Sequence, residues 1–183
     1  MRLFIAINPS YDEKTRLQSS QDKIKQISAK GNFTRLDNLH LTLVFLGETD
    51  ISLINSIKQI TAEAVALWNG NPFAIIFDHL GRFTNMRGGD IWWLGTQNSL
   101  QLNTLQRQIS LALEQAGFPI EKRKFKPHLT LARRVRLKTN IPEKAQTPLQ
   151  EDACAVLAKR VSLMKSESID GVLTYSEIWS CDL

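Results

Sequence analysis

The sequence predicts an α+β protein with two pseudo-symmetric α/β lobes, mainly antiparallel sheets and a central cleft between the lobes. Strand-like and helix-like segments alternate along the chain, and the word His-Leu-Thr-Leu occurs twice, beginning at His40 and at His128. The unit before each copy has nearly the same length, 38 positions from Arg2 to His40 and 37 from Ile91 to His128. A repeated strand, helix, strand unit explains both observations, and two like units tend to pack about a pseudo-twofold axis.

The first unit begins with an apolar segment, residues 2–8, which is rich in strand-forming residues. Ser10 and Glu13 have the spacing of a capping box, and an apolar stripe at helical spacing then runs to Gly31. Residues 40–46 form the next alternating segment. These patterns predict a strand, a helix ending near Gly31, and a strand that carries the first histidine motif.

Two elements precede the second unit. The first is a helix that Asp50 can cap, and the second is a strand whose first residues are 72–77. A hairpin around residues 82–89 leads into a strand at 90–95, and Asn98 or Ser99 caps the helix after it. Residues 125–132 form the strand of the second motif.

The remaining segments complete the sheets. Residues 156–165 and 172–179 predict a final hairpin around Asp170 and Gly171. The polar segment 138–152, with two prolines, is the candidate for a mobile loop over the cleft.

Composition bounds the class of protein. The chain has 183 residues, of which 43% are hydrophobic and 22% charged, enough for one good core. We therefore expect a single domain over residues 1–183, built of two lobes with one His-x-Thr motif each. No apolar run reaches the roughly 18 residues that a membrane span needs, and we expect a cytoplasmic monomer without membrane contact. Cys154 and Cys181 have no metal-binding spacing.

Positive charge concentrates around the second motif. The chain has a formal net charge of +5, which favours a polyanionic or phosphorylated partner, although charge runs are often only solvated surface. The basic residues of this stretch, which contains no acidic residue, are Lys122, Arg123, Lys124, Lys126, Arg133, Arg134, Arg136 and Lys138.

The motifs themselves indicate acid and base chemistry. On a strand, residues two apart share a face, so His40 with Thr42, and His128 with Thr130, pair an imidazole with a hydroxyl. Displacement at phosphorus requires a base, an acid opposite it and hydrogen-bond donors for the phosphate oxygens, and this set supplies them.

Other interpretations have less support in the sequence. A zinc site needs at least three ligands, and neither motif has a further ligand at suitable spacing, so we expect no metal. No nucleophile elbow or P-loop occurs. Two buried structural histidines, or a non-catalytic RNA-binding module that uses the basic run, stay as alternatives.

The motifs also resemble a known family. Asn-Leu-His-Leu-Thr-Leu with Phe-Leu-Gly at 38–47, and Lys-Pro-His-Leu-Thr-Leu-Ala-Arg at 126–133, resemble the paired motifs of the 2H phosphoesterase superfamily. Within it the chain looks most like the RNA 2',3'-cyclic phosphodiesterases, also called the 2'-5' RNA ligase family. The likeness extends from Arg-Leu-Phe-Ile-Ala-Ile at 2–7, through Trp-Trp-Leu-Gly at 92–95, to Gly171 and Tyr175.

The resemblance implies an enzyme that hydrolyses RNA or nucleotide 2',3'-cyclic phosphates to 2'-phosphates without a cofactor or a metal. It makes His40 and His128 the catalytic residues, with His40 protonating the leaving 3' oxygen and His128 activating water. Thr42, Thr130 and Arg133 would bind the phosphate. A 2'-5' RNA ligase, or a phosphodiesterase of another small cyclic or 2'-5' nucleotide, is the alternative within this family.

Arg133 raises a geometric problem. Strict strand alternation sets it on the face opposite His128 and Thr130, so a phosphate contact requires the strand to end, twist or bulge there. Arg134 is the alternative arginine.

The other aromatic and basic residues near the motifs have a structural and a functional interpretation. Base stacking needs an exposed aromatic, and at most one of the adjacent tryptophans should be free. The candidates are Phe4, Phe33, Phe83, Trp92 and Trp93. His79 lacks a following Thr and is interpreted as structural or surface. The segment 82–89 is a hairpin turn or a basic flap.

Overall fold

The computed structural model describes residues 1–85, 87–139 and 150–183, with side chains from residue 153 in the last segment. Within these residues the chain forms nine strands and three α-helices. The strands are β1 (Arg2–Ile7), β2 (Ser28–Phe33), β3 (Leu41–Glu48), β4 (Phe73–Phe83), β5 (Asp90–Thr96), β6 (His128–Leu137), β7 (Gln150–Ala158), β8 (Arg160–Ile169) and β9 (Val172–Asp182), and the helices are α1 (Tyr11–Ile27), α2 (Ile54–Trp68) and α3 (Leu100–Gln115). The proposed mobile loop at 138–152 lies mostly outside the described residues.

The strands form an antiparallel sheet in which the two histidine strands are central. The order is β7-β4-β5-β6-β3-β1-β8-β9, and β2 pairs with β6 off this path. The recorded pair between β3 and β6 is Leu41 with Leu129. Along the main path four strands lie on either side of this contact, and β2 adds a fifth on the β6 side, which confirms the predicted α+β fold of two like halves and shows that their sheets are joined.

The repeat predicted from the sequence corresponds to this symmetry. The unit β1, α1, β3 supplies the inner strands of one half, and β5, α3, β6 supplies those of the other. Each helix also packs against strands of the other half: α1 contacts β6 and β7, and α3 contacts β3. Each half is thus covered partly by the helix of the other unit.

The tail of the chain differs from the prediction in one strand. The expected strand at 156–165 is two strands that separate at Lys159, because β7 pairs with β4 whereas β8 pairs with β1 in the opposite half. No Gly or Pro marks the change, so the sequence looks continuous. The predicted β8–β9 hairpin is confirmed, with Asp170 and Gly171 both at positive φ in its turn.

Helix α1 starts as predicted and ends earlier. The capping box is complete, with the Ser10 hydroxyl accepting from the Glu13 amide and the Glu13 carboxylate accepting from the Ser10 amide. The helix ends at Ile27 rather than near Gly31, because the next residues pair as β2 with β6. Tertiary strand pairing there outweighs local helix propensity.

The other helix starts and strand ends refine the prediction. Asp50 caps a short 3₁₀ turn (Ile51–Leu53), after which α2 begins at Ile54, and the Ser99 hydroxyl accepts from the Leu102 amide to cap α3. Strand β4 continues past residue 77 to Phe83, where it forms the predicted hairpin with β5.

The core is continuous across both halves. In β1, Leu3, Ile5 and Ala6 are fully buried, as expected for a strand covered on both faces. One apolar cluster includes these leucine and isoleucine side chains together with Leu129 and Leu131 of β6. None of the described helices is long and apolar enough to cross a membrane.

Candidate active site

The pairing of β3 with β6 brings the two His-x-Thr motifs together. Leu41 lies opposite Leu129 in this antiparallel pair, so the register sets His40 beside Thr130 and His128 beside Thr42. All four flank buried leucines and therefore share the opposite face. Diagonal positions of such a pair lie about 7–8 Å apart, which leaves room for a phosphate group between the histidines.

His40 is held by hydrogen bonds at both ring nitrogens. Its Nδ1 lies 2.7 Å from the backbone oxygen of Asn38, and its Nε2 lies 3.0 Å from the Thr42 hydroxyl. A carbonyl oxygen only accepts, so Nδ1 carries the proton and the Thr42 hydroxyl donates to Nε2. The ring nitrogen of neutral His40 that carries no proton is therefore Nε2.

The surroundings of His40 favour its neutral form. Phe4 and Tyr175 pack against the ring with centroid distances of 4.7 and 5.0 Å. Burial lowers the pKa of His40 to about 4, and the positive charges of Lys14 and Arg133 add to this effect, while the Asn38 carbonyl opposes it.

His128 has the same backbone anchor in a more open setting. Its Nδ1 donates to the Lys126 carbonyl oxygen at 2.7 Å, and its Nε2 has no hydrogen-bond partner in the described part of the chain. Phe83 lies edge-on to the ring at 5.4 Å. Burial lowers the pKa of His128 below its usual value, with Arg133 and Lys126 acting in the same direction.

Arg133 reaches the histidine face because β6 bulges. Between Ala132 and Val135 the strand advances three residues while β5 advances two, from Trp92 to Asp90. The extra residue places Arg134 in the left-handed region at φ 55°. The Arg133 guanidinium then lies 3.5 Å from the Thr130 hydroxyl, and its charge lowers the pKa of both motif histidines.

Gly89 accommodates this bulge. A Cβ at this position would lie 2.8 Å from the carbonyl carbon of Arg134, and the backbone of Gly89 has φ +79°. Only glycine fits both conditions.

A cleft of about 540 Å³ opens next to His128. Thr42, Thr130 and Arg133 line it, together with aromatic and basic side chains from β3, from β4 and from the segment before β6. The aromatic and basic lining residues are Phe45, Phe83, Phe125, Arg123, Lys124 and Lys126. The site thus combines two imidazoles, two hydroxyls and an arginine with a cationic cleft, which suits an anionic phosphodiester.

Comparisons with known proteins identify the family of this chain. The family model of the 2'-5' RNA ligase superfamily matches residues 14–170. The chain belongs to the 2'-5' RNA ligase superfamily. A relative from Thermotoga maritima named RNA 2',3'-cyclic phosphodiesterase is 31% identical over 134 residues, 73% of this chain and 70% of its own length. A relative of the same name from Bacillus subtilis is 32% identical over 126 residues, 69% and 67% of the two chains.

Solved structures show the same fold. The crystal structure of Escherichia coli LigT complexed with 3'-AMP matches with a TM-score of 0.78 and 23% identity, covering 100% of this chain and 97% of that one. The family and the fold predicted from the paired motifs are therefore confirmed.

The structure of this superfamily member selects among the aromatic candidates for base stacking. Trp92 and Trp93 are both buried, and Phe4 is covered by its contacts with His40 and Tyr175. Phe83 is half-buried, lines the cleft and touches His128. The prediction that at most one tryptophan is free holds.

Phe33, the fifth candidate, lies on β2 outside the cleft lining. Its ring is covered by the Lys25 ammonium, 5.6 Å from the ring centroid.

Two residues near His40 were not predicted as part of the site, although Tyr175 had been noted in the family likeness. Lys14 of α1 donates from its ammonium to the Asp37 carbonyl oxygen at 2.7 Å, close enough to lower the pKa of His40. Tyr175 arrives from β9. Neither lies near a motif in the sequence, although helical spacing from the Ser10 cap could have placed Lys14 at the start of α1.

The third histidine lies apart from the two motifs. The His79 ring nitrogen Nδ1 is 2.6 Å from the Asp78 carboxylate, and the ring packs edge-on against Trp93. It is part exposed and does not line the cleft.

The hairpin at 82–89 is tied by local contacts. An Arg82–Asp90 ion pair spans its base, and the Asn85 side chain accepts from two turn amides. Among the described residues, no group of three His, Cys, Asp or Glu side chains is placed to hold a metal ion.

Proposed function

We propose that the protein is an RNA 2',3'-cyclic phosphodiesterase that opens the cyclic phosphate to a 2'-phosphate through general acid and base catalysis by His40 and His128. The observation that carries this proposal is the antiparallel pairing of the two His-x-Thr motifs, which places two imidazoles on one face of the sheet beside a cationic cleft. The names of the relatives from Thermotoga maritima and Bacillus subtilis support the substrate class.

In this mechanism His128 activates the attacking water. Its Nδ1 is occupied by the Lys126 carbonyl, and its Nε2 is free to accept a proton. Its lowered pKa keeps it neutral, as a general base must be, at pH 7. Water then attacks phosphorus, and the bond from phosphorus to the 3' oxygen breaks.

His40 delivers a proton from Nε2 to the leaving 3' oxygen. Before substrate binds, the charges of Lys14 and Arg133 disfavour the imidazolium. A bound cyclic phosphate is an anion, which offsets these cations and raises the pKa of His40, so the substrate itself promotes protonation of the acid. The rate should follow a bell-shaped pH profile.

Thr42, Thr130 and Arg133 bind the phosphate. The Thr130 hydroxyl can donate to a non-bridging oxygen, and the Thr42 hydroxyl can do so once His40 Nε2 is protonated and no longer accepts from it. The Arg133 guanidinium offers a charge-assisted contact beside Thr130. The proposed reaction uses no metal. We further propose that residues 1–183 act as one catalytic domain, since the site needs a strand from each half.

The test is conversion of an oligoribonucleotide that ends in a 2',3'-cyclic phosphate, in the presence of EDTA, followed by phosphorus NMR. Wild type is expected to yield a 2'-phosphate, and His40→Ala and His128→Ala each to lose about 100-fold or more in rate. His79→Gln is the matched control, because His79 belongs to neither His-x-Thr motif and contacts Asp78 and Trp93 rather than either motif histidine.

Other results would redirect the proposal. Retained activity in His128→Ala contradicts the two-histidine mechanism. An untouched cyclic end with conversion of another cyclic or 2'-5' nucleotide would change the substrate. Salt-dependent RNA binding without conversion, insensitive to either histidine, would indicate a non-catalytic binding module.

A further inference from the structure

Asn38 lies two residues before His40 and makes three hydrogen bonds toward His40 and β9, one through its backbone oxygen and two through its side-chain amide. Its backbone oxygen accepts from His40 Nδ1 at 2.7 Å. Its side-chain Nδ2 donates to the Leu173 carbonyl oxygen at 2.8 Å, and its Oδ1 accepts from the Tyr175 amide at 3.1 Å. The residue is only 6% exposed, so these bonds are shielded from water.

The two side-chain bonds attach β9 to the first motif. Leu173 and Tyr175 lie 135 and 137 residues away in sequence, in the last strand of the chain. The Tyr175 ring stands edge-on to His40 at 5.0 Å and to Phe4 at 5.1 Å. Asn38 thus connects the anchor of the imidazole to the aromatic wall that encloses it.

The second motif provides an internal comparison. Lys126 occupies the matching position, and its backbone oxygen holds His128 Nδ1 at the same 2.7 Å. Its side chain is exposed, and the ammonium lies over the rings of Phe83 and Trp93. A backbone anchor therefore does not itself require a buried amide, and the amide of Asn38 needs a separate explanation.

We propose that Asn38 is a positioning residue for the reaction: by clamping β9 it fixes the carbonyl that holds His40 as the Nδ1–H tautomer and keeps Tyr175 against the ring. This inference rests on the proposed function for its kinetic consequence, whereas the state of the imidazole can be measured without activity. A merely structural asparagine would change stability and leave the tautomer of His40 as it is.

The test is nitrogen-15 NMR of the histidine side chains in wild type, Asn38→Ala and Tyr175→Ala. In wild type, His40 should be a single Nδ1–H tautomer. Asn38→Ala should give a mixture of tautomers and a His40 pKa that moves up from about 4 toward 6.5, because water reaches the ring. Tyr175→Ala should raise that pKa and leave the tautomer unchanged.

His128 is the internal reference, since its own anchor at Lys126 is untouched. Thr174→Ala is the matched control, because Thr174 lies on β9 between the clamped residues and its hydroxyl bonds only to the Val172 carbonyl. It should leave the His40 signals unchanged. If Asn38→Ala does not fold, Asn38→Ser serves, since one hydroxyl can replace only one of the two β9 bonds.

The kinetic expectation is a loss of about 10- to 100-fold in kcat for Asn38→Ala, with a much smaller change in KM, because a misplaced imidazole affects the reaction more than binding. An unchanged His40 tautomer and pKa in a folded Asn38 variant would overturn the proposal. A wild type without phosphodiesterase activity would instead refute the proposed function, while the NMR result would still decide the role of Asn38.

Discussion

Arg133 is the residue whose position depends most on a local distortion. The bulge in β6 directs its guanidinium toward Thr130, whereas Arg134 takes the left-handed backbone conformation. Arg133→Ala should lower kcat/KM for a cyclic phosphate substrate by about 10- to 100-fold, the value of one charge-assisted contact. Arg134→Ala, measured in the same assay, should cost less than about threefold. An equal loss in both variants would contradict the assignment.

His40 also makes stability depend on pH. Its pKa is 6.5 in an unfolded chain and about 4 in the folded protein, so between these values the unfolded state binds more protons. The free energy of unfolding should therefore fall as the pH drops from about 6.5 to about 4. Urea unfolding at several pH values should show a smaller fall for His40→Gln than for wild type. If the free energy of unfolding fell equally with pH in both proteins, the folded protein would not suppress protonation of His40.

At the scale of elements, the bulge of β6 depends on Gly89, the residue directly before β5. Its backbone packs closely against the backbone of Arg134 in the bulge. Both Gly89 and Gly171 have φ near +78°, but a Cβ at Gly89 would strike the Arg134 backbone, whereas one at Gly171 would meet nothing within 4 Å. Gly171→Ala should cost about 1–2 kcal/mol through its backbone conformation alone. Gly89→Ala should cost at least about 1 kcal/mol more and reduce kcat/KM.

Chemical denaturation with parallel kinetics measures both effects. Gly171→Ala is the control, since its turn between β8 and β9 lies outside the cleft lining. Equal stability and equal activity of the two variants would show that β6 tolerates a shift at Arg134.

At the scale of the whole molecule, the contact between β3 and β6 joins the two halves. Leu129 is fully buried in the shared core, and Leu129→Ala should lower the free energy of unfolding by about 2–5 kcal/mol. Because the core is continuous, reporters in the two halves should lose structure together. Trp93 and Trp179 provide such reporters, one in β5 and one in β9.

The loss of structure in each half can be followed by fluorescence in single-tryptophan variants that retain either Trp93 or Trp179. Leu100→Ala is a control, since Leu100 is 81% exposed and should change stability by less than about 0.5 kcal/mol. Two separate transitions in the Leu129→Ala protein would indicate that the halves fold independently.

Local patterns were sufficient for much of the fold and for the composition of the site. The Ser10–Glu13 capping box and the Ser99 cap depend on interactions within a few residues, and the structure has them as predicted. The two motif segments also form strands, but β3 begins one residue after His40, and β6 begins at His128 rather than at residue 125 and continues to Leu137. The His-x-Thr motif occurs twice, once in each strand, helix, strand unit, and this pair of motifs also indicated the family. The roles of the site residues stay predictions until the variants are measured.

The sequence by itself thus determined the class of fold and the family, and it supplied the candidate histidines, threonines and arginine of the site. Only the tertiary structure decided the register of Leu41 with Leu129, the bulge that turns Arg133, and the arrival of Tyr175 beside His40. It also divided β7 from β8 and ended α1 at Ile27. The physical reason is the same in each case: these features depend on backbone pairing between segments far apart in the chain, and no local propensity encodes the partner.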